Sequence, residues 1–526
     1  MKINSGFLSD IPTTDFLTRS TGEPFMRVTS RPAPVEPEVP VIPDELRDMH
    51  IHVLGKTGQG KTTLLAHLAL RDIHRRKGGV CIIDPKGGMG GFAEIVSRYI
   101  PEDRIDDCIW LDIENPVPLD VISCPVGKES NVVADLTYIL TQGALDPGHA
   151  PQTASNIKKL LHTLIDANSH PAMPSDKRCT FMDIYRFFEE TDRRLEILKY
   201  VRDPRFQNPW TPEKLRDKNA IERILTRIEP WLDNLTLCTI LGEPKPGLNL
   251  EEIVQAKKIL IVSVPDEDPA STFYGSLIVS KIQHAAMSAK RRETEEDERI
   301  PFFLYIDEFE YFRASQNFLK MLKMARSFKL CLTLANLQLK ELDNEVRSAL
   351  QIVSTFILLR IASEDKAAFA DEIGTHDPGE AVREREHRAY RQWAHTRSEA
   401  AYTRWLIAFE EAQEHPEKLV TIEDATKLKR YQAIFKIGDS PALIAPTPAA
   451  PPRRPTSAEI EKLNRIKQNT LKYGPTDANY ARILQKRSGD NGACNVAPVR
   501  QTEGNGNTDP RSEDIKHSAA PRPKAL

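Results

Sequence analysis

The 526-residue sequence predicts an α/β protein built on a mostly parallel sheet, with an inserted all-helical domain and a largely disordered, Pro/Gly-rich C-terminal tail. Three observations predict it. The stretch GKTGQGKT at 55–62 has phosphate-loop spacing and sits where an apolar run turns into a helical pattern. Short, continuously apolar runs recur along the chain, as in strands covered on both faces. Between 126 and 250 the apolar residues instead take the helical period.

The elements follow in order. Residues 1–48 end in RPAPVEPEVPVIPDELRD, whose prolines favour an extended lead-in. Residues 49–125 alternate strand (51–54), helix (63–74), strand (VCIIDPKGG), helix (GFAEIVSRYI) and strand (CIWLDI), forming the first part of the sheet domain. The helical insertion at 126–250 contains NVVADLTYILTQ, ASNIKKLLHTLIDAN, MDIYRFFEETDRRLEILKYV and AIERILTRIEPWLDNL. The sheet resumes over 251–441, with strands expected at 257–264, 300–307, 329–336 and 353–361. Within it, 377–415 mixes charges of both signs with Trp and Tyr and reads as a long exposed helix or helical hairpin. From 442, APTPAAPPRRPTS opens a tail expected to lack a fold apart from a short helix near 457–470.

Composition is that of a soluble globular chain: 40% hydrophobic, 28% charged, net charge −3. The charge is uneven, because residues 451–526 carry 14 Lys/Arg against 8 Asp/Glu and the remainder is acidic. Seven scattered cysteines with no C-x-x-C pair fit a reducing, cytoplasmic setting. No run approaches the roughly 18 apolar residues of a membrane span, and the N-terminus lacks a signal-peptide pattern.

The motifs carry the chemistry. In Gly55-Lys56-Thr57-Gly58-Gln59-Gly60-Lys61-Thr62-Thr63 the glycines let backbone N–H groups turn towards phosphate oxygens. Lys61 adds a full charge there, and the Thr62 hydroxyl can ligate Mg²⁺. The partner is FFLYIDEFEYF: Asp307 leaves a buried strand where it can hold the metal, and Glu308 follows where it can polarise a water. LTLANLQ places Asn336 and Gln338 after another strand, as reporters of the γ-phosphate or as a turn residue and a solvated amide. IIDPKGG places Asp84 and Lys86 beside the same nucleotide. The expected cofactors are ATP and Mg²⁺. No N-K-x-D base-selecting motif is present, and Glu308 with Gln338 is hydrolytic equipment, which argues against a simple nucleotide switch.

With its G-K-T-G-Q-G-K-T-T loop, D-P-K-G, strand-D-E and strand ending in Gln, the chain resembles the VirD4/TraG-type coupling proteins of conjugation and type IV secretion, which belong with the HerA and FtsK motors. RYIPEDRIDDCIWLD followed by NPVPLDVIS, and a helical domain inserted before the strand-D-E, are similar too. The resemblance implies a RecA-like P-loop NTPase core, a homo-hexameric ring with ATP at subunit boundaries, and movement of DNA through the pore. It implies that Lys61 and Thr62 hold phosphates and Mg²⁺, Asp307 the metal and Glu308 the water, with Gln338 as sensor. It also implies an arginine finger acting in trans, for which Arg347 and Arg360 are both candidates. Such coupling proteins usually begin with membrane-spanning helices and none is found here, so a cytoplasmic motor recruited to the inner membrane by a secretion-channel or relaxase partner is expected. DNA binding is expected to be independent of sequence, through clusters such as Arg71, Arg75, Arg76 and Lys77, or Lys320, Lys323, Arg326 and Lys329, and through the basic tail. The alternative from another class is an ATPase motor for protein export or unfolding.

Overall fold

The computed structural model describes residues 39–474 apart from 113–116, 124–126, 142–149, 212–214, 216, 233, 245–246, 266–268, 287–298, 313–321, 323, 376, 378–379, 414–418 and 452–453, together with two paired strands, β1 (Thr14–Thr18) and β2 (Pro24–Val28). Nine further strands form one sheet. They are β3 (Ile51–Leu54), β4 (Gly79–Asp84), β5 (Cys108–Leu111), β6 (Ile259–Ser263), β7 (Phe302–Ile306), β8 (Leu330–Asn336), β9 (Thr355–Leu358), β10 (Gln432–Ile437) and β11 (Leu443–Pro446). Their spatial order is β11-β10-β9-β3-β8-β7-β4-β6-β5. From β9 to β5 every neighbouring pair is parallel, whereas β10 is antiparallel to both β9 and β11. The carboxyl ends of seven strands therefore meet at one edge, with β3 and its phosphate loop between β9 and β8.

The continuous apolar runs follow from burial of both faces. Along each strand successive side chains point to opposite faces, so alternate residues enter different cores. Cys81 and Ile83 of β4, Phe302, Leu304 and Ile306 of β7, and Leu330, Leu332 and Leu334 of β8 enter one core. Val80 and Ile82, Phe303 and Tyr305, and Cys331 and Ala335 enter the other. The first core continues without a break into the helices Glu129–Thr141, Ala150–Asn168, Lys218–Leu232 and Pro269–Ala286. The second is covered by the phosphate-loop helix Lys61–Arg75 and the helix Phe92–Tyr99.

The seven strands expected from the sequence are all present, and four were not foreseen: the β1–β2 pair, within the stretch expected as an extended lead-in, and β10 and β11 of the sheet. β10 is buried only over its central Ala433–Phe435, and β11, the edge strand, is a four-residue run exposed along most of its length, so both are short signals beside a proline-rich stretch. The body also extends past the expected boundary at 442. Beyond β11, a helix at Ser457–Thr470 starts at a Thr456/Glu459 capping box and buries Ile466 in the second core. It covers the outer strand of the sheet: the Trp110 N–H donates to the Thr470 hydroxyl at 2.8 Å, and Lys462 donates to the carbonyls of Arg98 and Ile100. Residues 475–526, with the rest of the expected tail, lie outside the described residues.

The excursion after β9 is a helical hairpin, Glu380–Thr396 against Glu399–Gln413. Trp393 and Trp405 stack across it with centroids 5.1 Å apart, and the Trp405 indole donates to Glu386. The irregular aromatic spacing thus serves as internal packing.

The basic stretch 71–77 is not a free patch. Arg75 and Lys77 both pair with Asp44, and Arg76 pairs with Asp103. In the second cluster Lys329 pairs with Asp48 and Arg326 is exposed, while Lys320 and Lys323 lie outside the described residues. Five cysteines, Cys81, Cys108, Cys179, Cys238 and Cys331, are buried free thiols. No helix among the described residues is long and apolar enough to cross a membrane.

One buried polar group ties the lead-in to the sheet. The Arg47 guanidinium pairs with Asp72 of the phosphate-loop helix and donates to the Tyr305 hydroxyl of β7 at 2.8 Å. Both charged side chains are about 5% exposed, so removing one strands the other in a low-dielectric interior. Asp72→Ala is expected to destabilise the fold by about 3–5 kcal/mol, read from urea unfolding, with Tyr305→Phe costing only about 1 kcal/mol.

Candidate nucleotide-hydrolysis site

The phosphate loop is shaped by its neighbours. Gly58 (φ +77°) and Gly60 (φ +107°) occupy left-handed backbone that a side chain would strain. A Cβ on Gly55 would lie 2.7 Å from Cβ of Leu359, just beyond β9, so glycine is required there. The Gly55 N–H donates to the Asn336 carbonyl at 3.3 Å, the Lys56 N–H to Arg360 at 2.9 Å, and the Gln59 carbonyl accepts the Tyr431 N–H at 3.2 Å. Strands β8, β9 and β10 thereby hold the loop from three directions. The helix that follows starts at Lys61 with no side-chain cap and no acidic residue in its first turn. Its free N–H groups and positive dipole end are left for an anion. The side chains of Lys56 and Thr57 are exposed and those of Thr62 and Thr63 half-buried, so Lys56, Thr57 and Gln59 can serve phosphate binding mainly through backbone.

Lys61, Thr62, Asp307 and Glu308 come together. The Asp307 N–H donates to the Ile83 carbonyl at 3.2 Å, continuing the β7–β4 ladder by one residue and fixing the carboxylate. The Thr62 hydroxyl donates to Asp307 Oδ2 at 2.8 Å. Lys61 Nζ lies 3.6 Å from both Asp307 Oδ1 and Glu308 Oε1. It is buried, and its N–H donors have no hydrogen-bond partner among the described residues. A buried ammonium with unused donors beside a hydroxyl and carboxylates fits a triphosphate with its divalent cation. Thr62 and Asp307 are the oxygen donors that would hold Mg²⁺, which when bound would neutralise phosphate charge. Glu308 sits in left-handed backbone (φ 44°), a strained conformation for a non-glycine residue, and its carboxylate pairs with Lys86.

Lys86 and Asp84 divide their work. Burial opposes the Lys86 charge, but the ion pair with Glu308 outweighs it and raises the Lys86 pKa. Asp84 is fully buried, and its oxygens accept the N–H groups of Lys86, Gly87 and Ala93 at 2.9–3.2 Å. Burial pushes its carboxyl up to about 6. Asp84 therefore shapes the D-P-K-G-G turn and caps the helix Phe92–Tyr99, while Lys86 faces the reacting centre.

On β8, the Asn336 amide is engaged: its Oδ1 meets the buried His52 ring at 2.8 Å and its nitrogen donates to the Gln338 carbonyl at 2.9 Å. Burial pushes the His52 imidazole down to about 4, so it is neutral. Gln338 Oε1 is buried without a partner among the described residues, as a group awaiting a ligand would be. Arg360 donates twice to the Leu428 carbonyl, and Arg347 donates to that of Leu342. For either to act in trans, its guanidinium must leave that carbonyl.

The sequence reading passed over Glu310. Its carboxylate accepts the Leu337 N–H at 3.4 Å, between Asn336 and Gln338, and burial pushes its pKa up to about 7. The signal was present in D-E-F-E, where a third carboxylate follows the pair.

Lys61→Ala is expected to abolish nucleotide binding in a direct titration. Glu308→Gln is expected to bind ATP while turnover falls by about 10²–10⁴. Unaltered turnover of Glu308→Gln would remove Glu308 from the hydrolytic role.

Residues 35–236 match the family described as the central domain of helicase HerA. No curated protein matches the sequence. Among solved structures, the fold is similar to plasmid coupling protein TrwB in complex with the non-hydrolysable GTP analogue GDPNP, at a TM-score of 0.52 and 14% identity, covering 78% of this chain and 89% of that one. TrwB in complex with ADP and Mg²⁺ is similar at 0.52 and 13%, covering 79% and 89%. The unbound bacterial conjugative coupling protein TrwBdeltaN70 is similar at 0.52 and 14%, covering 78% and 88%. With its phosphate loop facing a strand-borne Asp-Glu pair, the chain is a P-loop ATPase whose fold is similar to that of these coupling proteins.

Proposed function

We propose that the protein is an ATP-driven DNA translocase of the conjugative coupling kind, acting as a ring of six copies. The observation that carries this reading is the gathering of Lys61, Thr62, Asp307 and Glu308 at the carboxyl edge of a sheet of coupling-protein fold. In it, the loop N–H groups and Lys61 hold the β- and γ-phosphates of ATP. Glu308 orients the attacking water and takes its proton as the new P–O bond forms and the bond to the ADP oxygen breaks. Gln338 contacts the γ-phosphate and reports its loss to β8. Arg360 or Arg347 of a neighbouring copy completes the site by neutralising charge in the transition state. A secretion-channel or relaxase partner recruits the ring to the inner membrane.

A motor that steps along any sequence grips phosphates rather than base edges. Since the 71–77 cluster is engaged in ion pairs, DNA contacts fall to other cations, among them the exposed Arg388, Arg391 and Arg404 of the helical hairpin and the basic tail.

The test is ATPase rate against the concentration of two unrelated duplexes at low and moderate salt. Both are expected to stimulate turnover, with apparent affinity falling at a log-log slope of about −0.9 per phosphate contacted. Absence of stimulation by either duplex and by single strands would overturn this reading in favour of a protein-export or unfolding motor.

A further inference from the structure

Sheet order gives a bound nucleotide a direction. The hydrolytic carboxylates belong to β7 and the sensor amides to β8, on one side of β3, while β9, β10 and β11 lie on the other. With the γ-phosphate beside Asp307 and Glu308, the nucleoside end of the ligand is directed away from β7, past the loop towards the β10–β11 hairpin.

That hairpin presents a built surface to the loop. Tyr431, just before β10, adopts left-handed backbone (φ 63°). Its N–H donates to the Gln59 carbonyl at 3.2 Å, and its own carbonyl accepts the Thr447 N–H at 2.8 Å. Its half-buried ring is so close to the loop that a Cβ on Gly60 would lie 2.8 Å from it. The exposed Arg430 guanidinium lies over the ring, 4.8 Å from its centroid, in a cation–π contact. Two buried polar atoms with no partner among the described residues accompany it, Gln59 Oε1 and Thr447 Oγ1. Thr447 is 5% exposed, and its hydroxyl lies 3.6 Å from the same point above Gly60. Leaving such atoms unbonded is unfavourable, and the amino and ring-nitrogen edge of a nucleobase could satisfy both.

We propose that Tyr431, Gln59 and Thr447 form the nucleoside subsite of the ATPase centre, with the Tyr431 ring stacking on the base and the other two hydrogen-bonding its edge. The inference rests on the nucleotide reading above and adds which part of the chain selects the base. It assigns β10 and β11, the antiparallel strands outside the parallel core, a direct part in substrate recognition.

The test compares ATP with inorganic tripolyphosphate, each titrated with Mg²⁺ against the full chain by calorimetry. Tyr431→Asn keeps a residue that tolerates left-handed backbone and removes the ring. It is expected to weaken ATP roughly 5- to 100-fold, as loss of base–aromatic stacking does, and to leave tripolyphosphate unchanged. Tyr431→Phe is expected to bind ATP as the wild type does, and Thr447→Val to weaken ATP alone. Equal loss of both ligands in Tyr431→Asn would mean that the ring only props the loop, and unaltered ATP binding would remove it from the site; either result overturns the subsite. Wild-type protein that binds tripolyphosphate as tightly as ATP overturns the subsite but leaves the phosphate reading standing, whereas binding of neither ligand overturns both.

Discussion

The rest of the structure depends on burying the Lys61 ammonium between the carboxylates of Asp307 and Glu308. A buried cation is tolerated only when paired, and this one is held 3.6 Å from two anions without a hydrogen bond to either. Keeping it there requires the loop and the end of β7 to approach across the intervening β8. The parallel register supplies that approach: Gly55 bonds to Asn336 at the end of β8, and Asp307 extends the ladder onto β4. A slip of one residue on β7 would turn Asp307 to the opposite face and take its carboxylate away from Lys61.

Two buried cores allow that edge to be rigid. Covering both faces lets the parallel strands be apolar along their length, and it holds Asp84, Asp307 and Asn336 at strand ends with almost no exposure. The chemistry is then confined to loops at one edge, as expected where ligands bind outside the carboxyl ends of parallel strands. The helical segment between β5 and β6 shares a core with one face, so a change in its packing is mechanically coupled to the strands that carry Asp84, Asp307 and Asn336. The helix at 457–470 seals the opposite face and the outer strand.

Polar groups around the centre fall into two sets. Asp84 and Asn336 have their hydrogen bonds satisfied within the chain and set geometry. Lys61 Nζ, Gln338 Oε1, Gln59 Oε1 and Thr447 Oγ1 are buried and unsatisfied. Unsatisfied buried groups are costly, and these four lie on the phosphate loop and the segments beside it, where a polar ligand would satisfy them.

The phosphate loop, the Asp-Glu pair, the seven core strands, the helical insertion and the hairpin region were legible in the sequence, because each rests on local pattern: glycine spacing, apolar runs or helical period. Sequence could not separate Asp84 from Lys86, since only the fold turns one oxygen pair onto the backbone and aims the other side chain at Glu308. It could not show that Arg75, Arg76 and Lys77 face Asp44 and Asp103, partners about 30 residues away that only packing brings close. β10 and β11 escaped because Gln432 and Lys436 flank the short apolar centre of β10 and the edge strand β11 runs into a proline-rich stretch that reads as a tail, while the helix expected near 457–470 is present but its packing on the sheet was not legible. Local chemistry was therefore determined by the sequence alone, while tertiary structure decided which charges are free and which strand borders the loop, because both depend on contacts between segments that are separate in the sequence and meet only in the fold.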